Sequence, residues 1–427
     1  MLHPLSLVLL HGATTVACTG VSVVVPRFSA PVLVGSSNSS ASNGSNFWFP
    51  GISIPTGIPG HVAQHITLAG DGVACPRPGH PSQSCEQIML STDGGLSYLL
   101  VKKLQDGTSG NFNGYGDLGT WVPSKAGQSV PGVFSTIVGC NGCPRVHKAS
   151  SWDFPAYLQT WKDNGTALTL IGNESISFTG APSSFSSKEQ CGGHVCGFST
   201  PSQTIVRTAN GELLLAVYGH ASDGWKNGSL YTTAYFSSAD DGLHWRYASR
   251  IDVTTSTPPT HTGEEGPCEP SMAVLADGRV LTALRHASDQ PLWMAYSSNN
   301  GRSWGTPTLM KGASPAGVPM KVYSVWPQLL VLSSGALVLS SGRPGLGLWV
   351  SRDANGEEWV GYDICKEHSR LLPADPYTSG SGTTSYTGLA EVEPGVVLLA
   401  YDKIGAGRVG AIQKVYSMRI FMGATNE

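Results

Sequence analysis

Ser238-Ala239-Asp240-Asp241-Gly242-Leu243-His244-Trp245 and Ser297-Ser298-Asn299-Asn300-Gly301-Arg302-Ser303-Trp304 are two copies of one pattern, Ser-x-Asp/Asn-x-Gly-x-x-aromatic. Ser91-Thr92-Asp93-Gly94-Gly95-Leu96-Ser97-Tyr98 is a third copy. Ser351-Arg352-Asp353-Ala354-Asn355-Gly356-Glu357-Glu358-Trp359 is a fourth, with one extra residue before the Gly. The chemistry is that of a hairpin turn. The Asp or Asn oxygen caps turn N–H groups, Gly takes the φ > 0 position, and the aromatic ring packs between neighbouring units. One match means little, but four, three of them in the C-terminal half, predict a repeat protein.

A second rhythm surrounds these turns. Asn210-Gly211, Asp277-Gly278, Gly335 and Gly395 each launch an apolar run: Glu212–Val217, Arg279–Leu284, Ala336–Leu339 and Val396–Ala400. Near-continuous apolar runs bounded by turn residues predict strands buried on both faces. Their starts lie roughly 60 residues apart, near the 40–50 residues of a propeller blade. With 53 Gly, 28 Pro and only 13% charged residues, the chain is poor in surface-helix formers and rich in turns, as an all-β protein requires. A net charge of -3 gives no global attraction to nucleic acid or a membrane surface, so any recognition of charge must be local.

Residues 1–17 hold an apolar run at Leu5–Leu10 and end in small residues, as a signal peptide does, though without its positive start. The run is too short to span a bilayer. Residues 18–46 include a Ser/Asn/Gly-rich stretch at Gly35–Ser45, expected as an exposed segment before a folded body over residues 47–427. Among nine cysteines three close pairs stand out, Cys75 with Cys85, Cys140 with Cys143 and Cys191 with Cys196. Local staples of this kind suit an oxidising compartment, and Cys140-x-x-Cys143 lacks the second pair a zinc site would need. Sequons at Asn38, Asn43, Asn164, Asn173 and Asn227 agree with a secreted or lumenal protein.

The four turns are Asp-boxes, and with them the chain resembles the sialidase (neuraminidase) superfamily, whose fold is a six-bladed β-propeller. The likeness runs from about Phe198 to Asp402. In Glu264-Glu-Gly-Pro-Cys-Glu269, followed by a strand, a turn and a second strand ending at Arg285, it implies that Glu269 partners the nucleophile and that Arg285 binds a substrate carboxylate. Ser340-Ser-Gly-Arg343-Pro-Gly is similar to the site of another clamp arginine. Arg suits that job because its planar fork gives two parallel charge-assisted hydrogen bonds. Thr383-Thr-Ser-Tyr386-Thr-Gly-Leu389 matches the motif of the catalytic tyrosine, with Tyr401 the nearest competitor. Tyrosine makes chemical sense there. A sialic acid carries a carboxylate on the carbon under attack, which repels an anionic nucleophile, whereas a phenol arrives neutral and gives its proton to an adjacent glutamate.

The N-terminal quarter departs from the pattern. Phe49-Pro-Gly-Ile-Ser53-Ile-Pro55 has Ser53 where the family carries its first arginine. The general acid should lie shortly after. Asp71 is the candidate there, with His80 as an alternative proton donor. The resemblance thus implies a retaining exo-α-sialidase acting on sialylated or related acidic glycans, with no metal or organic cofactor. Two other readings compete with it, a sialidase-fold lectin and a propeller serving only as an interaction platform. Both make the Tyr386–Glu269 pair superfluous.

Overall fold

The computed structural model describes residues 25–36, 49–67, 86–104, 119–125, 127–139, 156–186, 190–191, 194–224, 228–251, 264–287, 290–378, 382–404 and 413–423. Asp71, His80, Cys75, Cys85, Cys140, Cys143 and the first 24 residues lie outside them.

Six antiparallel-based sheets follow one another along the chain, each built outward from an inner strand. Those inner strands are Phe49–Pro55, Thr120–Val122, Gly197–Arg207, Glu264–Val274, Val325–Val331 and Thr387–Glu393, one for each of blades one to six. Together they line a central channel of about 450 Å³ through Ser53, Trp121, Val206, Ala273, Gln328 and Ala390, one residue from each blade. The architecture is the six-bladed β-propeller expected from the repeats. Among the described residues one α-helix, Ile364–Leu371, packs on blades five and six, capped by Asp363 accepting from Lys366 N–H.

The Asp-boxes do what their composition predicts. In the blade-four copy Gly301 N–H donates to Ser297 Oγ at 2.8 Å and Ser303 N–H to Asn299 Oδ1 at 2.9 Å. The box glycines Gly95, Gly242, Gly301 and Gly356 all have φ between 74° and 102°. Gly95, Gly301 and Gly356 also wedge against the preceding blade. A Cβ on Gly301 would lie 2.5 Å from Leu214 of blade three, and one on Gly356 would lie 2.8 Å from Leu281 of blade four. Trp245 and Trp359 are buried beside these turns and donate Nε1–H to Gly242 O and Gly356 O at 2.8 Å.

Blade six closes the ring with the chain's two ends. Its strands Thr387–Glu393, Val396–Lys403 and Lys414–Phe421 are extended by Arg27–Phe28 and Val32–Ser36, both antiparallel to Lys414–Phe421. Strand structure therefore starts ahead of Phe47, and Gly35 and Ser36 of the Ser/Asn/Gly-rich stretch take part in it. Of the proposed disulfides, Cys191–Cys196 is formed, while Cys268 and Cys365 are buried free thiols. No described helix is long and apolar enough to cross a membrane.

Candidate active site

In blades four, five and six the residues that line the channel follow the residues of interest. Glu269 precedes Met272, Trp326 precedes Gln328, and Tyr386 precedes Leu389. The antiparallel second strands return to the same end, since Cys268 pairs with Arg285 and Val325 with Gly342, next to Arg343. One mouth of the channel thereby gathers side chains from blades four, five and six.

The backbone at that mouth is strained. Six non-glycine residues among those described have positive φ, and two of them, Asp241 and Asn300, belong to box turns. The other four are Glu269 (43°), Trp326 (51°), Arg343 (60°) and Ser385 (77°). Non-glycine residues enter this region at a cost of about 1–3 kcal/mol each, and such outliers concentrate at functional sites. The strand register also slips between Glu264 and Cys268, between Cys268 and Ser271, and between Val325 and Gln328. Bulges of this kind re-aim side chains that a regular ladder would send to one face or the other.

Glu269 is the hub, only 6% exposed. Its Oε1 accepts from Arg285 Nη1 at 2.7 Å and from the Tyr386 hydroxyl at 3.1 Å, and its Oε2 accepts from Trp326 N–H at 2.8 Å. Burial pushes its carboxyl above the ordinary carboxylate range, although Arg285 and these hydrogen bonds pull the other way. Arg285 carries a second carboxylate, donating from Nη2 to Glu265 Oε1 at 2.6 Å, and its pKa is raised by both glutamates despite burial. Trp326 packs its ring on Tyr386 with centroids 4.7 Å apart. Arg343 is half-buried on a turn set directly against the tyrosine loop. A Cβ on its neighbour Gly342 would meet Ser385 O at 2.3 Å, so only glycine permits that approach.

Of the four residues singled out by resemblance, Glu269, Arg285 and Tyr386 are joined by hydrogen bonds, and Arg343 stands on the turn beside the Tyr386 loop. Tyr401 does not join them. It is fully buried, with its hydroxyl on His368 Nδ1 at 2.8 Å. Ser53 lies at the arginine position, 4% exposed, with Oγ on Gln64 Oε1. Gly388 of the tyrosine strand closes over it, since a Cβ there would stand 2.8 Å from Ser53 Oγ. Sequence reasoning did not single out Glu265 or Trp326. Glu265 stood within the stretch that supplied Glu269, but only the bulged backbone reveals that Glu265 and Trp326 turn toward Arg285 and Tyr386.

A six-bladed Asp-box propeller with charged and aromatic side chains clustered at one mouth defines a class. The BNR repeat-like domain profile matches residues 158–393, and the chain belongs to that family. No curated protein sequence matches it. Among solved structures it is similar to the alpha-L-arabinanase of Penicillium chrysogenum complexed with arabinobiose, at 16% identity over 92% of this chain and 98% of that one, with a TM-score of 0.55. It is similar to the GH93 alpha-L-arabinofuranosidase of Fusarium graminearum at 12% identity over 92% and 97%, with a TM-score of 0.56. It is also similar to the NanB sialidase of Streptococcus pneumoniae at 12% identity over 91% and 70%, with a TM-score of 0.53. At such identities the likeness is one of fold.

Proposed function

We propose that the protein is a retaining glycoside hydrolase of the exo-α-sialidase type, releasing a terminal sialic acid or related acidic sugar. The observation that carries this reading is the 3.1 Å hydrogen bond from the Tyr386 hydroxyl to the buried Glu269 carboxylate. An unperturbed phenol has a pKa of about 10 and attacks poorly at neutral pH unless a base takes its proton as the new bond forms. Glu269, its pKa raised by burial, is a stronger base than an ordinary carboxylate.

In the first step the Tyr386 oxygen bonds to the anomeric carbon, the glycosidic C–O bond breaks, and the phenolic proton passes to Glu269. The leaving oxygen takes a proton from a general acid, the role proposed for Asp71. In the second step water attacks the anomeric carbon and gives its proton to that acid's conjugate base. Tyr386 departs with the proton held by Glu269, so the configuration is retained. Arg343, beside the tyrosine loop, supplies positive charge for the sugar carboxylate, and Arg285 adds to it.

A second reading has a specific observation in its favour. Arg285 already faces Glu265 and Glu269, and Ser53 replaces the first arginine, so the mouth has less cationic capacity than a full carboxylate clamp. This favours a neutral sugar, such as the arabinose units in the Penicillium and Fusarium complexes. Turnover of an aryl α-sialoside and an aryl α-L-arabinofuranoside, by wild type, Tyr386→Phe and Glu269→Gln, separates the two. We expect sialoside cleavage that falls by about 10²–10⁴-fold in each variant, the range of one lost acid–base partner. Arabinofuranoside cleavage alone would transfer the site to a neutral sugar. Equal rates in all three proteins would remove Tyr386 and Glu269 from the chemistry.

A further inference from the structure

The Tyr386 loop has an anchor outside the cluster just described. Asp402, on the second strand of blade six, is fully buried. Its Oδ1 accepts from Thr383 Oγ1 at 2.8 Å and its Oδ2 from Thr384 N–H at 2.8 Å. Thr383 Oγ1 accepts in turn from Ser385 N–H at 2.9 Å, which fixes Ser385 at φ 77° one residue before the tyrosine. No lysine or arginine is paired with this carboxylate among the described residues. Its partners are hydroxyl and amide groups. Burying a carboxylate without a cation is costly, and its own strand pairs with Val415 without using the side chain.

We propose that Asp402 is a positioning residue, a carboxylate clasp that orients the Thr383–Tyr386 loop so that the tyrosine hydroxyl meets Glu269. Its catalytic consequence rests on the reading of Tyr386 as the nucleophile. Only the ionised form accepts at both oxygens. Once Oδ2 is protonated, or replaced by the amide nitrogen of Asn, a donor confronts the Thr384 N–H and that bond is lost. At Oδ1 the same change reverses the Thr383 bond, whose Oγ1 then accepts and whose own hydrogen must turn elsewhere.

Burial pushes the Asp402 carboxyl up to about 6, so the hydrogen bonds of the clasp rearrange in a mildly acidic range. Of the other titratable groups around it, His368, which meets the Tyr401 hydroxyl and the Tyr377 ring, is lowered by burial from its ordinary 6.5 and is common to both proteins of the test, whereas the rest stay silent. Cys365 of the helix is pushed up to about 12, and Tyr377, whose hydroxyl donates to Asp402 O at 2.6 Å, is raised by burial. The adjacent Lys403 is turned to Asp375. Glu269 does titrate beside Tyr386 and is removed in the test.

The test uses the full chain with a fluorotyrosine placed at position 386 and fluorine NMR from about pH 5 to 8, in Glu269→Gln and in Glu269→Gln/Asp402→Asn. The expected result is a transition with its midpoint near the Asp402 value of about 6 in the first protein and none in the second. A transition in both, or in neither, overturns the proposal. In otherwise wild-type protein, Asp402→Asn should lower kcat on an aryl glycoside by about 10–100-fold with KM changed less than about threefold, the signature of a misplaced reacting group. If that variant does not fold, Thr383→Val cuts the same linkage more gently, and an unchanged kcat there overturns the proposal. A wild-type protein inactive on every glycoside would sink the hydrolase reading while the NMR titration still decides the clasp.

Discussion

Arg285 holds two carboxylates with one guanidinium, and this makes it the most constrained residue at the mouth. Replacing it with Met leaves Glu269 buried beside Tyr386 with no cation, and breaking a buried pair from one side costs about 3–5 kcal/mol. The pH dependence follows from linkage. The folded-state pKa of Glu269 is already above its ordinary 4.5, so its stabilising contribution is complete below that value and lost as pH rises through the folded one. Without Arg285 the folded value climbs further. The deficit of Arg285→Met should therefore be small near about pH 4 and grow toward pH 8 in urea titrations. A deficit independent of pH would mean that Arg285 acts only through packing. The Glu265–Arg285–Glu269 chain was beyond reach in the sequence. The motif assigned Arg285 to a substrate carboxylate, and nothing in a linear string shows that two protein carboxylates reach it first.

At the level of the element, the Asp-box is the part of this fold most plainly written in the chain. In the blade-four copy the hydrogen bonds of the Ser297 and Asn299 side chains span at most four residues, from Ser297 Oγ to Gly301 N–H and from Asn299 Oδ1 to Ser303 N–H, so composition alone determines it. What composition does not reveal is that the box glycine is also a wedge between blades. Gly301 (φ 81°) presses on Leu214, with a built Cβ only 2.5 Å from its methyl carbon, whereas Gly335 (φ 84°) sits in an ordinary turn with nothing within 4 Å. Alanine costs about 1 kcal/mol at either for the left-handed conformation. At Gly301 overpacking adds about 1–3 kcal/mol more. Denaturation midpoints of Gly301→Ala and Gly335→Ala should separate accordingly, and equal losses would reduce the box glycine to turn chemistry alone. The bulged inner strands are the opposite case. Their alternation is broken where Glu269 and Trp326 emerge, so periodicity fails where the site begins.

For the whole molecule, the question is how a ring of blades is shut. Phe28, on the outer edge of blade six, packs against Tyr362 of blade five with centroids 5.9 Å apart. Val34, 4% exposed, joins Val415 of blade six to Ile66 and Met89 of blade one. A strand formed near the start of the chain therefore ties the last blade to both its neighbours, through pairs such as Leu33 with Tyr416. That pairing was hidden in the sequence, because the Ser/Asn/Gly-rich stretch overlaps the strand's end and its partner lies almost the whole chain away. A protein beginning at Phe47 would leave the Lys414–Phe421 strand as an unpaired edge and strip the apolar seam between blades six and one. Burial of a side chain the size of Val34 contributes about 1.5–3 kcal/mol, before any ladder hydrogen bonds are counted. We expect the shortened protein to melt earlier and to self-associate through the bared edge. A peptide of residues 25–36 added in trans should restore both the melting temperature and the monomer on gel filtration. If the shortened chain melts at the same temperature as the full one, the ring is held by the contact of inner strands Phe49–Pro55 and Thr387–Glu393 instead, and the N-terminal strand only decorates it.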